Sequence, residues 1–195
     1  MAHKPITRKT PVEFSLLFWD AFLGEYTLEN DLVLIYEMAQ QYHVDVMVHS
    51  KSYHTFGASS LKKDCIHVQR QEYDMNTQTY TENVSIAVTD PLLATEWLAR
   101  ASKTKAKFKV YQYKFFIPEF VEELIENDED CMTPETWNNV FCSKFVLLFL
   151  RYCHRMGILD AEEERLQELW TVNSNQCTPA YLKRLVLHIF HYLQI

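Results

Sequence analysis

Four times along the chain a proline directly follows a threonine or an aspartate and precedes an apolar stretch: Thr10-Pro11, Asp90-Pro91, Thr133-Pro134 and Thr178-Pro179. The Thr or Asp oxygen can accept a backbone N–H at a helix start. Proline fits the next position because its missing N–H would be unpaired there anyway. The four sites predict four helix starts. The first predicts a helix over residues 11–23, and helical spacing of Leu28, Leu32, Ile35 and Ala39 predicts a second over 28–42. Val44, Val46 and Val48 alternate with Asp45, Met47 and His49, which predicts a strand over 44–49.

Residues 50–63, rich in Ser and His, read as a loop. Cys65 to Tyr73 and Gln78 to Val88 read as two strands of a hairpin joined by Asp74-Met75-Asn76-Thr77. A helix over 91–102 and a Tyr- and Phe-rich strand over 107–116 follow. Beyond them the pattern is purely helical: 118–127, 134–156, 160–170 and 179–193. In the 134–156 segment Lys144, Arg151 and Arg155 form a narrow polar stripe. Cys142, Val146, Phe149 and Cys153 lie opposite it, and Gly157 stands as the C-terminal cap.

The expected fold is α+β: a small, mostly antiparallel sheet of about four strands packed with helices, plus a helical C-terminal cap. The first two helices and the 134–156 helix are expected on one face of the sheet. The expected organisation is a flexible N-terminus (1–10), a helical hairpin with the small sheet (11–117), and a helical part (118–195) on the same core.

Composition removes several function classes. There are 3 glycines, Gly24, Gly57 and Gly157, and no G-x-G-x-x-G or G-x-x-x-x-G-K-[ST]. Loops that cradle phosphate need close backbone approach and positive φ, so a P-loop enzyme or a Rossmann dehydrogenase is not expected. No signal peptide is recognisable in residues 1–11, and the longest apolar run, Phe145 to Leu150, is too short to span a bilayer. Cys65, Cys131, Cys142, Cys153 and Cys177 are scattered without a C-x-x-C, which reads as reduced thiols in the cytoplasm or nucleus. The net charge of −7 falls entirely on residues 118–195, a poor match to nucleic acid.

Three chemistries can be weighed. For nucleophilic catalysis, Cys65, Cys142, Cys153 and Cys177 are possible nucleophiles and His49, His54, His67 and His154 possible bases. Cys142 and Cys153 on an apolar helix face read first as small hydrophobes. For metal binding, Cys153, His154, Cys177, His188 and His191 could be imagined together, yet their spacing fits no zinc pattern. No metal or cofactor is expected. The acidic runs, Glu162 to Glu164 among them, read as solvated helix ends.

The positive signal is a basic, aromatic stretch. From Arg100 to Lys114 there are six positive residues and no acid. Lys103, Lys105, Lys107, Lys109, Tyr111, Tyr113 and Lys114 are the expected partner- or nucleic-acid-binding residues. On a strand, Lys107, Lys109, Tyr111, Tyr113 and Phe115 share one face. Such a face suits an acidic protein partner or unstacked bases, and lysines also protect an edge strand from mispairing.

The stretch Ala87-Val88-Thr89-Asp90-Pro91 to Trp97-Leu98-Ala99-Arg100, then Lys109-Val110-Tyr111 and Phe115, resembles the segment after the OB barrel in small telomere-capping subunits, relatives of the middle subunit of replication protein A. The likeness implies an OB-like barrel upstream. That part is shorter than such a barrel and lacks the glycines used at its bends, so no functional residue is carried over.

The function expected from sequence is a non-catalytic adaptor or accessory subunit binding other proteins, with no membrane segment and an open oligomeric state. The high aromatic content suits interfaces. The alternatives are a single-stranded nucleic-acid-binding module using 103–115 and an enzyme with a Cys/His centre.

Overall fold

The computed structural model describes residues 11–20, 41–62, 65–74, 81–103, 131–137 and 140–191. Five strands build one antiparallel sheet: β1 (Glu13–Asp20), β2 (Gln41–His49), β3 (Tyr53–Lys62), β4 (Cys65–Glu72) and β5 (Thr81–Ile86). Their spatial order is β4-β3-β2-β1-β5. Four α-helices accompany them: α1 (Pro91–Ala101), α2 (Cys142–Arg155), α3 (Glu163–Leu166) and α4 (Pro179–Phe190). The class is α+β, as expected.

The first expected helix is instead the central strand. Phe14, Leu16 and Phe18 face the main core while Leu17 enters a second cluster with Met47 and Tyr73. A strand buried on both sides loses its alternation. Phe14, Leu17, Phe18 and Ala21 also fit helical spacing, so the apolar run alone did not separate the two. Pro11 precedes the strand, where no ladder N–H is required of it. This removes the helical hairpin expected within 11–117. The 28–42 helix lies outside the described residues except for its end, which is already β2.

The 50–63 segment is mostly strand, not loop. Its Ser and His content hid the buried run Thr55 to Ala58. The hairpin of 65–73 with 78–88 is also corrected. Both runs are extended, but β4 pairs with β3 and β5 pairs with β1, at opposite edges. The described strands thus form an open sheet rather than the barrel implied by the telomere-subunit likeness.

Two of the remaining Pro signals start α-helices. Asp90 accepts the Leu93 N–H at 3.1 Å at the start of α1, and Thr178 accepts that of Tyr181 at 3.3 Å at the start of α4. Thr133-Pro134 opens only a 3-10 turn, Pro134–Thr136, and the long helix begins at Cys142. Gly157 caps α2 at φ 66°; its N–H reaches the His154 carbonyl and that of Ile158 the Cys153 carbonyl, the paired bonds of a left-handed helix stop. The 160–170 helix is split into α3 and a 3-10 turn, Gln167–Trp170.

Every residue from Cys142 to Cys153 is buried, so α2 is a core helix. It lies on β2 and β3, with α4 against β2 and β5. Trp97 of α1 is fully buried against Phe145, Phe149 and Tyr152, with ring centroids 5.5–5.9 Å apart, and donates its indole N–H to the Cys131 carbonyl at 2.7 Å. Lys144 and Arg151 of the polar stripe are buried too. Lys144 Nζ donates to Asn175 Oδ1 at 2.7 Å. Arg151 donates to the Leu169 carbonyl at 2.8 Å and to the Val172 carbonyl, and lies over the Trp170 ring. These bonds tie α2 to the connection that leads into α4.

Candidate functional site

His43 and Asp45 of the candidate site stand on the other face of β2, away from Val44, Val46 and Val48. His43 and Asp45 are two residues apart on a strand, so they share a face with Trp19, which stands opposite His43 on β1. Asp45 Oδ1 is 2.8 Å from His43 Nε2, and Asp45 Oδ2 accepts the Trp19 indole N–H at 3.0 Å. Both carboxylate oxygens are therefore engaged. The Asp45 side chain is 10% exposed and that of His43 21%.

Space for this carboxylate comes from Gly57 on β3. A Cβ there would stand 1.6 Å from Asp45 Oδ1. The glycine is needed for close approach rather than for an unusual φ.

The imidazole has a second partner, Cys142, the first residue of α2. An ionised carboxylate only accepts, so His43 Nε2 carries the proton toward Asp45. Burial opposes charge on His43. The negative Asp45 carboxylate and the Cys142 sulfur beside it outweigh that burial and hold the imidazole well above its ordinary range. The start of a helix favours negative charge, and Phe141 places no side-chain cap there.

The other described cysteines lack this setting. Cys131, Cys142, Cys153 and Cys177 are all unbridged and buried. Burial pushes the Cys153 thiol far up, as expected of an inert core residue. Cys177 Sγ lies 3.9 Å from the Thr178 carbonyl. Cys65 opens β4.

The bases named from sequence are engaged elsewhere. His49 stacks on Tyr53 at 4.0 Å and lies 3.5 Å from Glu13. His54 bonds Ser52 Oγ at 3.0 Å. His67 sits on β4. His154 receives the Trp170 indole N–H at Nδ1 (2.8 Å) and meets Glu163 through Nε2 (3.0 Å). Glu163 is held below its ordinary range by Gln167 and then by His154.

Cys153, His154, Cys177, His188 and His191 do not converge. His188 pairs with Glu168 at 3.0 Å, and His191 bonds the Ser85 carbonyl at 2.7 Å. Among the described residues no three His, Cys, Asp or Glu side chains could hold a metal ion, and no helix is long and apolar enough to cross a membrane. Of the basic stretch, Lys103 is exposed at the end of α1. Lys105, Lys107, Lys109, Tyr111, Tyr113 and Lys114 lie outside the described residues.

His43 is the member that sequence reasoning missed. The signal was present: the alternation that placed Val44, Val46 and Val48 on one face of β2 places His43 and Asp45 together on the other. No sequence pattern joins them to Cys142, about 100 residues away. No family model matches the chain, and no curated protein and no solved structure matches it either.

Proposed function

We propose that this chain is a thiol-dependent acyl hydrolase or acyltransferase, with Cys142 as nucleophile, His43 as its base and Asp45 as the group that orients the imidazole. The observation that carries this reading is the 2.8 Å contact of His43 with Asp45, with Cys142, the first residue of a helix, acting on the same imidazole. A nucleophile on α2 and a base with its orienting carboxylate on β2 supply the roles that acyl transfer needs. Trp19 fixes the far oxygen of Asp45, so the carboxylate stays aimed at Nε2.

The chemistry balances with the residues present. The Cys142 thiol gives its proton to His43. The thiolate attacks the carbonyl carbon of an amide, ester or thioester, and the carbonyl oxygen takes the negative charge beside the first-turn N–H groups of α2. Collapse breaks the bond to the leaving group, which takes the proton from His43. Water, deprotonated by His43, then attacks the acyl-thioester and releases the acid, returning the proton to sulfur. A second nucleophile in place of water gives transfer instead of hydrolysis.

Cys142 is buried and His43 is the solvent-facing member of the relay, so substrate must approach past the imidazole. The test is turnover of p-nitrophenyl acetate with mass analysis of the intermediate. An acetyl group on Cys142, abolished in Cys142→Ala and His43→Ala, is expected. Full activity in Cys142→Ala would remove the assignment. The nucleic-acid reading rests on residues 103–115, of which all but Lys103 lie outside the described residues.

A further inference from the structure

At the opposite end of β2 from His43, a cavity of about 390 Å³ opens between the sheet and α1. Val12, Val48 and Phe56 form its apolar floor, and Ala99 of α1 forms part of its wall. Its polar lining is one-sided. Arg70 and Lys103 bring two positive charges, His54 adds an imidazole, and no carboxylate among the described residues lines the cavity. No ion pair of Arg70 or Lys103 occurs among the described residues, whereas Arg100, one turn before Lys103, is held by Glu135 at 2.6 Å. Two cations without an ion pair among the described residues thus face one cleft, in a chain of net charge −7.

We infer that this groove binds a small organic carboxylate with an apolar body. Its volume falls in the range of small-molecule sites, which pair a mainly apolar lining with a few directing polar groups. Arg70 offers a planar pair of N–H donors that matches a carboxylate, and Lys103 adds a mobile point charge. The floor of Val12, Val48 and Phe56 holds the hydrocarbon part. An inorganic anion would leave that floor bare. A neutral apolar molecule would leave both cations unmatched. The site is independent of Cys142 and of its chemistry.

The test is titration of the whole chain with octanoate, 1-octanol and inorganic phosphate, followed by calorimetry and protein NMR shifts. Octanoate is expected to bind with shifts at Phe56 and Ala99. Octanol should bind at least ten-fold more weakly, and equimolar phosphate should not displace octanoate. Arg70 and Lys103 are exposed, so Arg70→Ala/Lys103→Ala should fold normally and bind octanoate at least ten-fold more weakly. Absence of octanoate binding at millimolar concentration would overturn the proposal. So would equal affinity for octanol, displacement by phosphate, or unchanged binding in the double variant.

Discussion

Gly57→Ala adds one methyl group at a point of the sheet that has no room for it. The new Cβ would stand 1.6 Å from Asp45 Oδ1 and 2.7 Å from its Cγ, against an ordinary contact of 3.4 Å or more. The carboxylate would have to retreat by about 2 Å, the difference between those distances. Neither the 2.8 Å contact to His43 nor the 3.0 Å bond from Trp19 survives such a shift. Hydrogen bonds to a charged group contribute about 1.5–3 kcal/mol each, so losing both costs about 3–6 kcal/mol. Removing a strand glycine returns about 0.5–1 kcal/mol. The net expectation is a loss of about 3–5 kcal/mol in urea unfolding, together with loss of His43 orientation and of acyl transfer. Asp45→Ala removes the obstacle, so Gly57→Ala in that background should cost less than about 1 kcal/mol. A Gly57→Ala protein within about 1 kcal/mol of the parent, with unchanged transfer, would refute the argument.

Three further outcomes follow from the same geometry. His43 is held above its ordinary value of about 6.5, so the folded state takes up its proton more readily than the unfolded state. Stability should therefore fall as pH rises from about 6.5 through the raised pKa, and His43→Gln should flatten that slope in unfolding measured across pH. Arg151→Met keeps the apolar stem but deserts the Leu169 and Val172 carbonyls; a loss of about 2–4 kcal/mol is expected by denaturant unfolding, and a change under 1 would deny the guanidinium its part in docking the chain after α2. Gly157→Ala meets nothing within 4 Å, so only its positive φ resists the side chain, and about 1–2 kcal/mol should be lost from the thermal midpoint.

Much of the fold was legible where local chemistry decided it. Asp90 and Thr178 cap helices because their oxygens reach the N–H three residues on, and nothing distant competes. The sequence also marked β2, α2 and its glycine stop. Burial from both sides erased the period of β1. Polar residues at register positions of β3 resembled a loop because their ladder partners lie in other strands. The hairpin between β4 and β5 failed for the same reason: which strands pair is a long-range matter that the composition of a turn does not carry. The candidate site follows this division. Its His43–Asp45 half is a local, period-two pattern. Its Cys142 half depends on how α2 lies across the sheet, so the thiol could be named from sequence but not matched to its imidazole.

The most direct test of the central claim is the rate at which iodoacetamide alkylates Cys142 between pH 5 and pH 9, resolved by peptide mass analysis. A thiol that has passed its proton to His43 should react at a rate nearly flat over the lower half of that range, and His43→Ala should make the rate climb with pH as an ordinary thiol does. A parent Cys142 that stays as unreactive as Cys153, or whose rate climbs identically with and without His43, would contradict the account.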